Sequence, residues 1–272
     1  MEESRPVHGA VQEPLTDVID THCHLDAAEF DADREEVVER ARAARVARIV
    51  VPAIERANFG TVASISREYP ICAPAYGIHP LFVERAREED LDVLADTLQR
   101  EPAVAVGEIG LDFYVPGQDG TRQEIFFAEQ LKIARRLGLP VLLHVRKAID
   151  VVLKHLRRIR VVGGVAHAFN GSRQQAEEFA RLGFKLGFGG AMTPTRATHL
   201  RELAATLPDH LIVLETDAPD IPPAWLDKGA RNEPAELPRI ASVIAELRGV
   251  DVAEFAAVTS ANARSVFPGL AG

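Results

Sequence analysis

Histidine and carboxylate side chains stand at the ends of several apolar runs, where they could share a metal ion. His22 and His24 are two residues apart at the end of the first run, and alternate residues of a strand face the same side. An isolated pair of this kind is a weak signal, because it is more often one surface and one core histidine. Later runs end in, or contain, further groups of the same chemistry: Glu108, His144, His167 and Asp217.

Taken together, these four imidazoles and two carboxylates predict a site for two divalent ions. An unpaired charge in a low-dielectric interior is very costly, so such groups need partners. Six side chains exceed the three that a mononuclear catalytic zinc usually takes, whereas two ions bridged by one carboxylate would use them all. Glu108 is the natural bridge, since its strand lies halfway round a barrel from His22 and His24. Nitrogen and oxygen ligands allow Mg, Mn or Zn.

The elements that must position these groups alternate between short apolar runs and amphipathic segments. The strands are predicted at 18–24, 48–54, 72–78, 104–111, 141–145, 164–169, 185–189 and 211–216. Their continuous apolar character is typical of parallel strands buried on both faces. Helical patterns occupy 33–45, 122–137 and 173–182, and Gly138 marks the end of the second.

Eight strands that alternate with helices favour one of two α/β architectures. A doubly wound sheet often carries a glycine-rich turn after its first strand, and no GxGxxG motif occurs there. The sequence therefore predicts an α/β fold, a single TIM-type (β/α)8 barrel with its active site at the C-terminal ends of the strands.

Composition narrows the class of protein further. The 272 residues are 47% hydrophobic and 26% charged, which is ordinary for a globular protein. The balance of 31 Lys and Arg against 40 Asp and Glu gives a net charge of −9, which argues against broad coating of duplex DNA. The only cysteines are Cys23 and Cys72, so a disulfide scaffold is excluded and the cytoplasm is expected. Cys23 is expected to pack in the core.

The N-terminal segment differs from the rest of the chain. Residues 1–16 carry acids and prolines and lack the apolar centre of a signal peptide, so we expect a flexible extension over 1–16. Residues 17–272 are expected to form one domain. No apolar run reaches the roughly 20 residues that a membrane-spanning helix needs, so no membrane association is expected.

In order along the chain, the motifs resemble those of the TatD-type metal-dependent deoxyribonucleases of the amidohydrolase superfamily. The similar segments are IDTHCHLD at 19–26, GIHP at 77–80, GEIGLD at 107–112, HVR at 144–146, HAFNGS at 167–172 and ETDAP at 215–219. The segments RNEP at 231–234 and 262–267 also fit. The resemblance covers residues 17–268, and the combination is far more specific than any single motif.

The resemblance implies a metal-dependent deoxyribonuclease of the 3′–5′ exonuclease type, which cleaves phosphodiester bonds with a metal-activated water. It implies ligand sets: His22, His24 and Asp217 for one ion, His144 and His167 for the other, and Glu108 for both. Asp217 would also accept the proton of the attacking water, and Asp217, His79 and Glu108 are the expected catalytic residues. His79 would face the substrate phosphate or the leaving group.

Three further residues are candidates for substrate binding, and each has a plainer alternative. Arg146, two residues after His144, could clamp a phosphoryl oxygen or form an ordinary surface ion pair. Asn170 and Ser172 precede a helix, so their loop could bind phosphate through backbone N–H groups or serve only as a helix cap. Asp20, Asp26 and Glu215 could support the ligands or be structural.

The expected substrate is a nucleic acid with a short footprint. Two divalent ions would add about four positive charges at the barrel mouth, which favours single-stranded or frayed DNA ends despite the acidic surface. No obligate protein partner is expected. The alternatives are a D-aminoacyl-tRNA deacylase, a small-molecule phosphotriesterase- or lactonase-like hydrolase, and a metal-stabilised interaction protein without turnover. A complete ligand set together with His79 disfavours the last of these.

Overall fold

The computed structural model describes residues 16–227 and 229–270, and these residues form one parallel sheet of eight strands. The strands follow one another round the sheet in chain order, as in a barrel rather than a doubly wound sheet. They are β1 Val18–Asp20, β2 Val46–Pro52, β3 Cys72–Tyr76, β4 Ala105–Asp112, β5 Val141–Arg146, β6 Gly164–Ala166, β7 Phe184–Phe188 and β8 Ile212–Leu214. The prediction of a TIM-type barrel is confirmed.

Helices connect the strands and surround the sheet. Within the described ranges they are α1 Arg34–Ala43, α2 Phe59–Glu68, α3 Glu89–Arg100, α4 Gly120–Leu137, α5 Ile149–Arg158, α6 Arg173–Arg181, α7 Thr198–Thr206, α8 Leu237–Arg248 and α9 Val252–Val266. The helices predicted at 33–45, 122–137 and 173–182 correspond to α1, α4 and α6. Gly138 ends α4 as predicted, in the left-handed conformation (φ 66°) that glycine adopts without strain.

The barrel closes where β1 and β8 meet. The Thr21 amide donates to the Leu214 carbonyl at 3.0 Å, and the Asp217 amide donates to the His22 carbonyl at 2.8 Å. Asp20 reinforces this junction, because its buried carboxylate accepts hydrogen bonds from the Thr216 amide and hydroxyl, at 3.0 and 2.6 Å. The segments that carry His22 and Asp217 are therefore held side by side.

Alternate strand residues separate two hydrophobic cores. Val50, Leu142 and Val213 fill the inside of the barrel, whereas their sequence neighbours pack outward against the helices. The end of α9, with Ala263 and Val266, joins the inner core, as does Phe267 directly after the helix. Asn262 on α9 donates to the carbonyls of Asp209 and Ile212, at the start of β8. α9 thus covers the N-terminal end of the barrel and leaves the opposite end available for a site.

Four strands are shorter than the sequence predicts. β1 ends at Asp20 rather than at 24, β3 at Tyr76 rather than at 78, β6 at Ala166 rather than at 169, and β8 at Leu214 rather than at 216. The backbone leaves the regular ladder at the barrel rim, where polar side chains turn toward the mouth instead of alternating across a sheet. His22, His24, His167 and Asp217 consequently lie just beyond strands, not on them.

The remaining expectations about organisation concern the termini and the membrane. Of the predicted extension over 1–16, residues 1–15 lie outside the described residues, and the division at residue 16 stays a prediction. Among the helices that the structure describes, none is both long enough and apolar enough to cross a membrane. Cys23 packs in the outer core, as expected.

Candidate metal centre

The structure brings together the six side chains that the sequence proposes as metal ligands. They come from five strands or the residues directly after them: His22 and His24 after β1, Glu108 on β4, His144 on β5, His167 after β6 and Asp217 after β8. All of these positions lie at the C-terminal end of the barrel, where enzymes of this architecture carry their active sites.

A bulge in β4 helps to place Glu108. Val106 is opposite Val141 on β5, whereas Ile109 is opposite Leu143, so three steps along β4 match two steps along β5. An extra residue of this kind locally redirects the side chains of the bulged strand. The redirected stretch contains Glu108, whose carboxylate is buried at the centre of the cluster.

The two oxygens of Glu108 face two different groups of ligands. Oε2 lies 3.3 Å from Nε2 of His22 and 3.5 Å from Nε2 of His24. Oε1 lies 3.1 Å from Nδ1 of His144 and 3.0 Å from Nε2 of His167. Asp217 belongs to the first group, because its Oδ1 is 3.4 Å from Nε2 of His22. This is the arrangement that a carboxylate shared by two ions requires.

The separations between the donor atoms also fit metal ligation. Ligands held tetrahedrally at about 2.1 Å from an ion lie about 3.4 Å from one another. Nε2 of His22 is 3.2 Å from Nε2 of His24 and 3.4 Å from Oδ1 of Asp217. The donor atoms of these three residues all lie within 4.8 Å of one another, as do those of His22, Glu108 and His167. The site therefore suits metal in both spacing and donor chemistry.

The protonation states of His22 and Glu108 agree with this role, whereas, despite burial, the neighbouring Glu108 carboxylate raises the pKa of His167 to about 10, so that this imidazole would exchange its proton for an ion. Burial, together with neighbouring His167, lowers the pKa of His22 to about 4, so its imidazole is neutral and keeps a lone pair for a metal. Burial alone would raise the pKa of Glu108. The neighbouring His167 and the hydrogen bond from His144 outweigh burial and hold that pKa well below its usual value. Glu108 is thus an anion at neutral pH.

Asp112 was not identified from the sequence. It contacts the ring nitrogen of His144 that points away from Glu108. Its Oδ2 lies 3.0 Å from Nε2 of His144, whose Nδ1 faces Glu108. A carboxylate on the far nitrogen fixes the tautomer and orientation of a ligand histidine and increases its basicity. One feature of the sequence could have identified Asp112: it is a charged residue at the end of a buried strand, four positions after Glu108.

Replacing Asp112 by asparagine should weaken only part of the site. The asparagine side chain would keep an oxygen for the backbone but lose the carboxylate that faces His144, so we expect the affinity for any ion that His144 would help to hold to fall by about 10–100-fold. Metal titration followed by calorimetry measures this, with Asp96→Asn on the exposed face of α3 as the control. Unchanged metal affinity would show that Asp112 has no such role.

Two other acids that the sequence left undecided have structural partners. Asp20 joins β1 to the end of β8, as described above, and burial raises its pKa to about 7. Glu215 accepts a hydrogen bond from the Ala168 amide through Oε1 at 2.5 Å, and burial raises its pKa to about 8. A Cβ atom at Gly187 would overlap the carboxylate of Glu215, so a larger residue there would displace this carboxylate. Both acids support the segments that carry the candidate ligands.

His79 lies beside the cluster, next to both Glu108 and His144. Its Nε2 is 3.6 Å from Oε1 of Glu108, and its ring centroid is 4.4 Å from that of His144. Its Nδ1 accepts a hydrogen bond from the Leu81 amide at 3.2 Å, which assigns the ring proton to Nε2. Burial lowers the pKa of His79 to about 3, so the neutral imidazole presents an N–H donor to the site.

The candidate substrate-binding residues occupy different environments at the mouth. Arg146 and Asn170 line an open cleft that also exposes Asp217, His79 and His144. Ser172 instead caps α6, because its hydroxyl accepts from the Gln175 amide and its amide donates to the Gln175 side chain. Both polar groups of Ser172 are therefore engaged, which favours the interpretation as a helix cap.

The barrel and this cluster of imidazoles and carboxylates together define a metal-dependent hydrolase of the TIM-barrel type. The family model for TatD related DNases matches residues 19–268. The chain belongs to this family, and the prediction of a TatD-type hydrolase is confirmed.

Individual relatives agree with the family assignment. The uncharacterized metal-dependent hydrolase YjjV of Escherichia coli is 42% identical over 92% of this chain and 97% of its own. The crystal structure of YjjV superimposes with a TM-score of 0.88, at 41% identity, over 92% of this chain and 98% of that one. The 3′-5′ ssDNA/RNA exonuclease TatD of Cronobacter sakazakii is 35% identical over 92% of this chain and 97% of its own.

Proposed function

We propose that this protein is a nuclease that requires two divalent ions and removes nucleotides from the 3′ ends of single-stranded DNA. The observation that supports this most is the placement of Glu108, whose two oxygens face separate groups of ligands at 3.0–3.5 Å. A pair of ions sharing one carboxylate is a recurrent arrangement for displacement at phosphorus.

The ligands divide into two sets around Glu108. His22, His24 and Asp217 would hold one ion, and His144 and His167 the other. When bound, two divalent ions lower the pKa of water toward neutrality and offset the negative charge of the phosphoryl oxygens. The donor set of nitrogen and oxygen suits Mg, Mn or Zn.

Two side chains of the cleft would accept a proton from water and donate a hydrogen bond to the substrate. The Asp217 side chain is 14% exposed in the cleft, so its carboxylate can accept the proton of the attacking water. His79 presents its Nε2–H toward the same space and would donate to a phosphoryl or leaving-group oxygen. Glu108 lies at the base of the cleft and, as an anion, would supply fixed negative charge between the two ligand sets.

The size and charge of the molecule favour a short segment of nucleic acid. The cleft has a volume of about 1280 Å³, above the ~300–1,000 Å³ of typical small-molecule pockets. The net charge of −9 disfavours a long duplex footprint, because duplex binding relies on neutralising many phosphates. A single-stranded or frayed end needs only local positive charge, which the ions and Arg146 would provide. The relative from C. sakazakii is named for single-stranded DNA and RNA.

We also propose that the protein acts in the cytoplasm and needs no protein partner. Cys23 and Cys72 are both buried free thiols. Free thiols are typical of a reducing compartment.

Metal dependence tests the proposal directly. We expect a chelator to abolish hydrolysis of 3′-end-labelled single-stranded DNA and added Mg, Mn or Zn to restore it, with two ions bound per chain. Product sizes and elemental analysis measure these two results on the same preparation.

Matched substrates separate nucleases from other hydrolases. Single-stranded DNA, RNA and D-aminoacyl-tRNA would be incubated in parallel, and mononucleotides and free amino acid would be quantified. Release of amino acid without mononucleotides would assign the protein as a deacylase. Undiminished nuclease activity in the metal-free protein would contradict the proposal as a whole.

A further inference from the structure

An exposed tyrosine lies at the edge of the cleft, on the loop that follows β4. Tyr114 is 55% exposed although its ring is large and largely apolar. It lines the same cleft as Asp217, His79 and His144. More than half of the side chain is therefore open to solvent at the cleft, where a ligand could contact its ring.

Arg146 stacks on this ring. Its guanidinium carbon lies 3.8 Å from the centroid of Tyr114, within the range of a cation–π contact. A planar guanidinium held on an aromatic ring keeps its N–H groups at the edge available for oxygen acceptors. The pair therefore offers an aromatic surface and a phosphate-binding group side by side.

Asp112 connects this pair to the metal ligands. Its Oδ1 accepts hydrogen bonds from the amides of Tyr114 and Val115, at 2.9 and 3.2 Å. Its Oδ2 faces Nε2 of His144 at 3.0 Å. The carboxylate that orients a metal ligand thus also fixes the backbone of Tyr114.

A third hydrogen bond completes the anchoring of the loop. The Phe113 amide donates to the Arg146 carbonyl at 2.9 Å, which joins the start of the loop to the end of β5. Because His144 is two residues earlier on β5, Arg146 and the ligand belong to one strand. The positions of both Tyr114 and Arg146 are consequently fixed by backbone hydrogen bonds next to the site.

We propose that Tyr114 and Arg146 form a stacking subsite for a nucleobase adjacent to the scissile phosphodiester. The inference rests on the proposed nuclease function and specifies how the single strand is held. Every base has an aromatic face, so such a platform binds single strands without strong sequence preference. A base inside a duplex is already stacked on its neighbours, so the subsite also favours single-stranded and frayed ends over intact duplex.

Turnover on substrates with and without bases tests the subsite. Tyr114→Ala should lower kcat/KM on single-stranded DNA by about 5- to 100-fold, the range expected from loss of one base–aromatic stack. On an oligonucleotide whose two 3′-terminal nucleotides lack bases, Tyr114→Ala and the unchanged protein should agree within about twofold. Tyr114→Phe keeps the ring and should retain normal activity. Ile125→Ala, an exposed apolar residue on α4, is the control.

Fluorescence provides a measurement that does not need hydrolysis. A single-stranded oligonucleotide with 2-aminopurine at its 3′ end and phosphorothioate linkages, which resist cleavage, would be added to the metal-loaded protein. Stacking quenches 2-aminopurine, so we expect quenching with the unchanged protein and Tyr114→Phe and its loss with Tyr114→Ala.

The outcomes distinguish the subsite from the proposed function. If the quenching depends on Tyr114 but the protein cleaves no phosphodiester bond, the proposed nuclease function is refuted and the stacking subsite is supported. Nuclease activity with equal quenching by Tyr114→Ala, or with equal rate losses on normal and base-free ends, would refute the subsite and keep the nuclease. Absence of quenching with the unchanged protein would also refute the subsite.

Discussion

Replacing Glu108 by glutamine should reduce hydrolysis about 10³-fold or more and release bound metal. Glutamine keeps the volume of the side chain but removes its charge and one of its two oxygens. One Glu108 oxygen faces the ligand group around His22 and the other faces the group around His144. The substitution would therefore leave one of these groups without a carboxylate oxygen. Loss of several kcal/mol of stabilisation by the ions corresponds to a rate loss of this size, at about 1.4 kcal/mol per tenfold.

Metal content and turnover on the same sample measure this result. The matched control is Glu124→Gln, because Glu124 also contacts a histidine, with its Oε2 2.9 Å from Nε2 of His155, but on the outer helices. That variant should keep two ions and a normal rate. Far-ultraviolet circular dichroism would show that both variants are folded. A Glu108→Gln protein with two tightly bound ions and normal turnover would refute the shared-carboxylate arrangement.

Much of this site could be predicted from sequence because its residue types are costly to bury without partners. Glu108 and His144 interrupt strongly apolar strands, and a charge in such a place requires a specific reason. Counting strands then puts both residues at the same end of a barrel. Their convergence follows from the order of the strands alone. Their role as ligands stays a proposal.

Other features depend on neighbours that are distant in sequence. The contact of Asp112 with His144 joins two strands across 32 positions, and the stacking of Arg146 on Tyr114 joins the end of one strand to the loop after another. Neither contact can be predicted from hydrophobic periodicity. That pattern indicates which face of a strand or helix a residue lies on, but not which distant residue it contacts. The bulge near Glu108 and the early end of β1 likewise arise from backbone geometry at the barrel rim.

The loop before α6 illustrates ambiguity of a different kind. A serine before a helix fits both a phosphate site and a helix cap, since both use the same groups. The deciding fact is the position of the Gln175 side chain, which bonds the Ser172 amide. A pattern with serine followed three residues later by glutamine is the sequence signal of a capping box, and here it would have favoured the cap.

His79→Ala should lose roughly 10²–10⁴-fold in turnover while keeping both ions, the usual range for a positioned proton donor or acceptor. His79 lies close enough to Glu108 and His144 to be considered a metal ligand on distance alone. Its tautomer argues otherwise. The Leu81 amide donates to Nδ1, so Nε2 carries the ring proton and has no lone pair to offer a metal in that state.

The hydrogen bond at Leu81 also explains why His79 would act as a donor of fixed direction. Pro80 follows it, and the His79 amide donates to the Ile54 carbonyl at 2.8 Å, so both backbone and ring are held before substrate arrives. A donor arranged in advance stabilises developing negative charge without reorganisation during the reaction. His79→Gln, which retains an N–H donor, should recover part of the lost rate. Elemental analysis and turnover on both variants decide the matter: lost metal would make His79 a ligand, and unchanged turnover in His79→Ala would exclude it from the reaction.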